Sequence, residues 1–158
     1  MSIHDFFLIP YVQRLFIAAM LGFAIGVERE LRGKPASLRT FSMICVGSCL
    51  FSILSIEAAG HSLNGAPYDV TRIAAQIVTG IGFLGGGVIF KTTDRVEGIT
   101  TGALIWLTAA IGMAVGFGQI ALAICAVMVG AFIHVLSFVF YKVLDFDRHK
   151  REEVETGD

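Results

Sequence analysis

The sequence is 158 residues long, with 55% hydrophobic and 16% charged residues and a formal net charge of −1 at pH 7. Soluble domains average about 25% charged residues, so this composition, with a mean hydropathy of +0.75, excludes an ordinary soluble domain. It predicts an integral membrane protein whose first partner is the lipid bilayer, and no nucleic-acid partner is expected.

Two apolar stretches in the first part of the chain are predicted to span the membrane as helices. The first covers about residues 11–27 and contains one charge, Arg14, whose long side chain can reach the interface. The second covers about residues 40–59 and is uncharged until Glu57. Between them, Glu28–Arg39 is polar and contains glycine and proline, so it is predicted to be a loop.

The third predicted span, at about residues 73–90, contains five glycines and no charge. A helix of this length is ~27 Å long, close to the ~30 Å of the hydrocarbon core. Small residues let helices approach closely in lipid, so this segment is predicted to be the central, tightly packed helix. It also spells GxGxxG, but the apolar run continues through the glycines without a strand–helix context, which favours helix packing over a nucleotide site.

The longest uncharged stretch, Gly98–Tyr141, contains no Lys, Arg, Asp or Glu. As one helix it would reach about 66 Å, roughly twice the bilayer core, so it must fold back, and Gly116–Gln119 is the natural hinge. The stretch therefore predicts a fourth span at about 100–115 and a fifth at about 120–141. Residues 146–158 are predicted to be a charged cytoplasmic tail.

The positive charges indicate how the chain is oriented. Ten of the twelve Lys and Arg residues lie in Glu28–Arg39, in Lys91–Gly98 or after Tyr141. Short basic loops stay in the cytoplasm. The predicted fold is therefore an all-α, five-helix transmembrane bundle over residues 1–145, with the amino end outside and the carboxyl end cytoplasmic.

Glycines spaced four residues apart recur along the predicted helices. This spacing lets the backbones of neighbouring helices approach closely, either within the chain or in a homo-oligomer or larger membrane complex. The glycines predicted to pack are Gly22, Gly26, Gly80, Gly82, Gly85, Gly86, Gly98 and Gly102.

Polar residues at the start of the third span form a candidate pocket on the outer side. Asp69, Arg72 and Gln76 lie at positions i, i+3 and i+7 and share one stripe of the helix, and Glu57 of the second span could reach Arg72. The functional interpretation is a polar pocket or an ion-handling vestibule. In the alternative, Asp69 caps the helix, Arg72 anchors it at the interface, Gln76 bonds to a neighbouring helix and Glu57 is an exposed carboxylate.

Charges of both signs also concentrate at the predicted cytoplasmic helix ends. Glu28, Arg29, Arg39 and Arg95 form either an interhelical ion network or solvated loops that only mark the topology. His134 lies within the fifth span, and an ionisable group at that depth is a functional candidate by default. A neutral, hydrogen-bonded imidazole is the alternative to a proton relay.

Catalytic and cofactor-binding patterns are absent from the sequence. Cys45, Cys49 and Cys125 lie in apolar runs without His or carboxylate neighbours and are expected to act as small hydrophobic residues. No nucleophile–base pair or phosphate-binding loop is evident, so an enzyme is not expected and no cofactor is predicted. The identity of any bound metal is left open.

Three stretches resemble the MgtC/SapB family of bacterial membrane proteins. They are GVERELRGKPASLRT at Gly26–Thr40, DVTRIAAQIVTGIGFLGGGVIF at Asp69–Phe90 and VEGITTGALIWLTAAIGMAVGFG at Val96–Gly118. Together they cover most of the chain. The resemblance implies a multi-pass helical domain of the bacterial inner membrane, with two departures: Glu97 stands where members commonly have a basic residue, and the soluble carboxyl-terminal domain of virulence-associated members does not follow.

The same resemblance implies a function. Members of the family are linked with growth in low magnesium and with acid or phosphate stress, so the expected role is regulation or stress adaptation through contacts with other membrane proteins. The alternative is a small ion transporter, with Mg²⁺ as the named candidate. The predicted spans lack the several buried carboxylates expected where a dication sheds water, which favours regulation.

Overall fold

The computed structural model describes residues 10–34, 36–60 and 69–155. These residues form five α-helices and one short hairpin, which confirms the all-helical class. In chain order the elements are α1 (Pro10–Leu31), α2 (Leu38–Gly60), α3 (Thr71–Gly87), β1 (Phe90–Lys91), β2 (Val96–Glu97), α4 (Ile99–Gly116) and α5 (Ile120–Glu155). The two strands pair antiparallel, with Phe90 opposite Glu97, and connect α3 to α4.

Four helices are long and apolar enough to cross a membrane: α1, α2, α4 and the part of α5 from Ile120 to Val143. α3 has 17 residues and is therefore about 26 Å long, slightly shorter than the ~30 Å of hydrocarbon. A multi-pass membrane protein follows from these helices, while the fifth span and the direction of insertion stay predictions. α5 continues as a helix to Glu155, through much of the segment predicted as a tail.

The centre of the bundle is α4, so the prediction that the third helix is central is wrong. α4 packs against each of the other four helices, and nine of its residues are buried. In α3 only Ile81 and Gly85 are buried. The glycine content of α3 indicated the capacity for close approach, but α4 combines glycine with buried threonine and isoleucine on several faces, and it is this helix that fills the middle.

Two clusters of buried side chains hold the helices together. One joins α1, α2, α4 and α5 and consists of Ala18, Cys45, Cys49, Ile53, Ile111, Val115 and Ala123. The other joins the segment after α1 to α2, α3 and α4 and consists of Ala36, Phe41, Ile81, Ile105 and Ala109. Both clusters lie on the faces of α4, which explains why this short helix determines the arrangement of the others.

Glycines bring the helix backbones into contact on the two sides of α2. A Cβ atom on Gly22 of α1 would lie 2.6 Å from the carbonyl oxygen of Phe41, and one on Gly116 of α4 would lie 2.5 Å from that of Cys49. A Cβ atom on Gly112 would collide with the carbonyl oxygen of Cys45. α2 is thus held between α1 and α4 at distances that no side chain on these glycines would allow.

The direction of insertion can be tested with reporter fusions. A reporter placed after Asp158 and another in the segment Glu28–Arg39 should both report cytoplasm, because the basic residues concentrate there. A reporter in residues 61–68, which lie outside the described part of the structure, should report the outside. A carboxyl end outside the cell would contradict the five-span count.

Candidate functional site

At the end of the bundle that carries the start of α3, Asp69 organises the helix terminus. Its carboxylate accepts hydrogen bonds from the Thr71 backbone N–H at 2.9 Å and from the Thr71 hydroxyl at 2.6 Å. These bonds, and the nearby Arg72 guanidinium, hold the pKa of Asp69 below its usual range. Because the folded-state pKa is lowered, this stabilisation is present at neutral pH and is lost as the pH falls through the lowered value.

The other members of the predicted outer pocket make different contacts. Glu57 accepts a hydrogen bond from the hydroxyl of Tyr11, which links α2 to the start of α1. Gln76 lines a groove of about 540 Å³ between α2 and α3, whose lining does not include Asp69, Arg72 or Glu57. The four residues therefore lie at one end of the bundle without sharing that groove.

Sequence reasoning missed two contacts that fix this end of the bundle. Arg14, expected to anchor at the interface, donates from Nη1 to the carbonyl oxygen of Gly116 at 3.0 Å. That carbonyl belongs to the last turn of α4, so the guanidinium caps the helix and lies at the negative end of its dipole. Ser55 donates to the carbonyl oxygen of Val70 at 2.7 Å and ties α2 to the start of α3.

At the opposite end, Arg29 of α1 is buried against the first turn of α4. The residue is only 4% exposed, and its Nη2 donates to the Thr101 hydroxyl at 2.7 Å. Its buried Nε has no acceptor among the described residues. A guanidinium buried to this degree normally has a carboxylate partner, so Arg29 is the most unusual charged group in the described part of the chain.

The backbone around Arg29 is held by glycines on both sides. A Cβ atom on Gly26 would lie 2.6 Å from the Cα atom of Leu38, so the chain returns directly over α1. Gly98, which precedes α4, has φ of +89° and packs against the carbonyl of Val88. Only glycine fits there, because a Cβ atom would collide with that carbonyl and other residues rarely adopt this φ. The arginine site, defined as Arg29, Thr101 and the first turn of α4, therefore lies where the three stretches that carry the family resemblance meet.

Glu28 points to a different neighbour, although it adjoins Arg29 in sequence. Its Oε1 lies 2.8 Å from His134 Nε2 of α5 and also contacts the guanidinium of Arg32. Glu28 and His134 line a cavity of about 160 Å³ between α1, α4 and α5. The histidine singled out by the sequence thus has a carboxylate partner that lies far away in the chain.

The predicted ion network of Glu28, Arg29, Arg39 and Arg95 does not form among the described residues. Glu28 faces α5 and Arg29 faces α4, because adjacent positions on a helix point in different directions. Arg39 is exposed, and Arg95 pairs at 3.6 Å with Glu97, two residues further along the same exposed arm of the hairpin. Two separate polar groups, one at α4 and one at α5, replace the single network.

The predicted packing glycines divide into two sets. One set lies against other backbone segments of the chain and comprises Gly22, Gly26, Gly98 and Gly102. Gly85 packs against Gly102, since a Cβ atom on Gly102 would lie 2.9 Å from the carbonyl oxygen of Gly85. The other set has no atom within 4 Å of the Cβ position and comprises Gly80, Gly82 and Gly86. The described part of the chain therefore supplies no packing partner for this second set.

Two of these glycines, Gly82 and Gly86, belong to a face of α3 that points away from the bundle, whereas Gly80 lines the groove between α2 and α3. Ala75, Thr79, Gly82 and Gly86 lie at positions i, i+4, i+7 and i+11, which share one side of a helix, and all four are exposed. The Thr79 hydroxyl donates to the carbonyl of Ala75 at 3.1 Å and so stays close to the helix. This open face of α3, the four residues just named, is smooth and flanked by the exposed amide of Gln76.

The metal-binding potential of the site is limited. Among the described residues, no group of three or more His, Cys, Asp and Glu side chains is placed to hold a metal ion. Glu28 and His134 are two such groups that line the cavity between α1, α4 and α5, and the rest of that lining is aliphatic or glycine.

Comparison with known proteins gives consistent family matches. The model of the MgtC family matches residues 15–142. The protein named "Putative magnesium transporter YhiD" of Escherichia coli K12 is 40% identical over 151 residues, which cover 94% of this chain and 70% of that protein. No solved structure shows a significant match to the chain.

Two further relatives share a shorter region. Protein SapB of Bacillus subtilis 168 is 45% identical over 108 residues, which cover 66% of this chain and 47% of that protein. Protein MgtC of Salmonella typhimurium LT2 is 42% identical over 120 residues, which cover 76% of this chain and 49% of that protein. The matched region is thus about half the length of these two relatives.

Proposed function

Because this chain belongs to the MgtC family, we propose that it is a bacterial inner-membrane protein of magnesium and stress adaptation that regulates other membrane proteins through helix contacts. The observation that carries this proposal is the open face of α3, which has no partner within the described chain. A glycine face of this kind is the surface through which helices associate in lipid.

The physical chemistry of lipid makes this face informative. Lipid tails are as apolar as leucine, so exposed hydrophobic side chains on the outside of the bundle require no protein partner. Gly82 and Gly86 differ from such side chains, because a glycine makes little contact with lipid. It becomes favourable only when the backbone of another helix packs against it. Gln76 supports the same interpretation, since an amide exposed to hydrocarbon is stabilised by a hydrogen-bonding partner on another helix.

The second candidate function is transport of a small cation, and Mg²⁺ is named for the Escherichia coli relative. The observation that favours it is the Glu28 carboxylate in the cavity between α1, α4 and α5. However, Mg²⁺ demands near-octahedral oxygen coordination and gives up its water reluctantly. Glu28 is already in contact with Arg32 and His134, so regulation is the better-supported proposal.

A flux measurement separates the two functions. The purified protein in proteoliposomes, loaded with a Mg²⁺-sensitive dye, should give no saturable Mg²⁺ uptake above empty liposomes. Glu28→Gln is the matched variant, because it removes the charge but keeps the shape of the side chain. Saturable uptake that Glu28→Gln abolishes would overturn regulation and assign transport.

A further inference from the structure

The arginine site combines two positive groups without a negative one. The guanidinium of Arg29 reaches the first turn of α4 through Thr101, at 2.7 Å. The N-terminus of that helix follows Gly98 and has no side-chain cap, so its first backbone N–H groups carry the positive end of the helix dipole. A buried cation beside this terminus is unfavourable unless an anion lies between them.

No described residue supplies that anion. The nearest carboxylate in sequence, Glu28, contacts Arg32 and His134 on the side of α5. Within the described residues, no carboxylate lies within ion-pair distance of Arg29, and its buried Nε is unpartnered. The unpartnered nitrogen is the second, independent sign that a ligand completes the site, because buried donors in proteins are almost always satisfied.

We propose that the arginine site binds an oxyanion of the phosphate class, supplied either by inorganic phosphate or by the headgroup of an anionic lipid. A guanidinium presents a planar fork of donors that fits two oxygens of a phosphate, and a helix N-terminus supplies further N–H donors. The Thr101 hydroxyl, which accepts from Arg29, keeps its own proton available to donate to a third oxygen.

The position of the site in the fold suits such a ligand. Arg29 lies in the last turn of α1, and Thr101 lies in the first turn of α4, so the site is at one end of the bundle, where the lengths of these apolar helices predict the lipid headgroups. The segment that follows Arg29 is exposed at Arg32, Gly33 and Lys34, so exposed backbone begins within one helical turn of the buried arginine. The positive charges of this segment attract anions to the same place.

The test measures the thermal stability of the full-length protein in a maltoside detergent, which contains no phosphate. One arm titrates sodium phosphate against sodium chloride at equal ionic strength. The other adds phosphatidylglycerol against a galactolipid, which lacks phosphate. A ligand that binds only the folded protein should raise Tm by roughly 5 °C or more at about 100 times its Kd.

A rise with phosphate assigns a free anion, and a rise with phosphatidylglycerol alone assigns a lipid headgroup. The rise should disappear in Arg29→Gln and shrink in Thr101→Val, but persist in Arg39→Gln, which removes an exposed arginine at the same end. If Arg29→Gln fails to fold, Thr101→Val decides, and a rise in that variant equal to the wild-type rise would overturn the proposal. No rise in either arm, or an equal rise in Arg29→Gln and wild type, would overturn the proposal.

Discussion

Gly112→Leu should prevent normal accumulation of the protein and strongly lower the Tm of whatever is recovered. Gly112 of α4 lies directly against the backbone carbonyl of Cys45, and a Cβ atom there would collide with it. Backbone atoms cannot rotate aside as a flexible side chain can, so α2 and α4 must separate. Overpacking of a core costs typically ~1–3 kcal/mol, and a clash with backbone belongs at or above the upper end of that range.

The measurement is thermal unfolding in detergent, with membrane abundance as a second readout. Gly82→Leu is the matched control, since the same substitution on α3 meets no atom within 4 Å and replaces a poor helix former by a good one. Its Tm should equal or exceed that of the wild type. A wild-type Tm for Gly112→Leu would mean that α2 and α4 do not pack as described.

The positions of the glycine pairs show how far glycine spacing in the sequence predicts helix packing. The pairs Gly22/Gly26 and Gly82/Gly86 have the same spacing in the sequence, yet the first lies against α2 and its preceding segment and the second faces outward. Spacing determines which residues share a face of a helix, but the element opposite that face depends on the whole arrangement. The fold class and most helix positions follow from local sequence and were predictable. The central position of α4 depends on the whole arrangement and was not.

The contacts of polar residues were predictable from the sequence only where the two partners lie close together in the chain. Asp69 was expected to contact the start of α3 because such a contact is local in sequence, and its carboxylate does accept from Thr71, although the N-cap position itself is Val70. The contacts Arg14–Gly116 and Glu28–His134 join residues that are far apart in the chain, and no local pattern pairs them. The burial of Arg29 was equally hidden, since its neighbours in sequence are those of an ordinary polar loop.

Gly82→Leu and Gly86→Leu should each abolish complementation of a strain that lacks the gene, in low magnesium, while the protein accumulates normally. A leucine side chain on the open face of α3 would hold a partner helix away from the backbone, and complementation should be lost without a fall in Tm. Of the two packing partners that the sequence left open for these glycines, the described chain itself does not supply one. Under the proposed function, the substitutions therefore weaken a contact with another protein and leave the fold intact.

The control for this experiment is Ala121→Leu on α5. Ala121 is exposed like the glycines of α3 but lies at the start of a different helix, so the added side chain leaves the open face of α3 unchanged. This variant should complement as the wild type does. Normal complementation by both glycine variants at wild-type abundance would remove the open face of α3 from the mechanism.

Photocrosslinking in cells tests most directly whether α3 contacts another membrane protein. A benzoyl-phenylalanine in place of Phe83, which is 83% exposed beside the open face, should form a protein adduct that Gly82→Leu removes. The same group in place of Phe132 of α5, which is 64% exposed, should react with lipid. Lipid adducts alone from position 83, or a protein adduct unchanged by Gly82→Leu, would contradict regulation through this face.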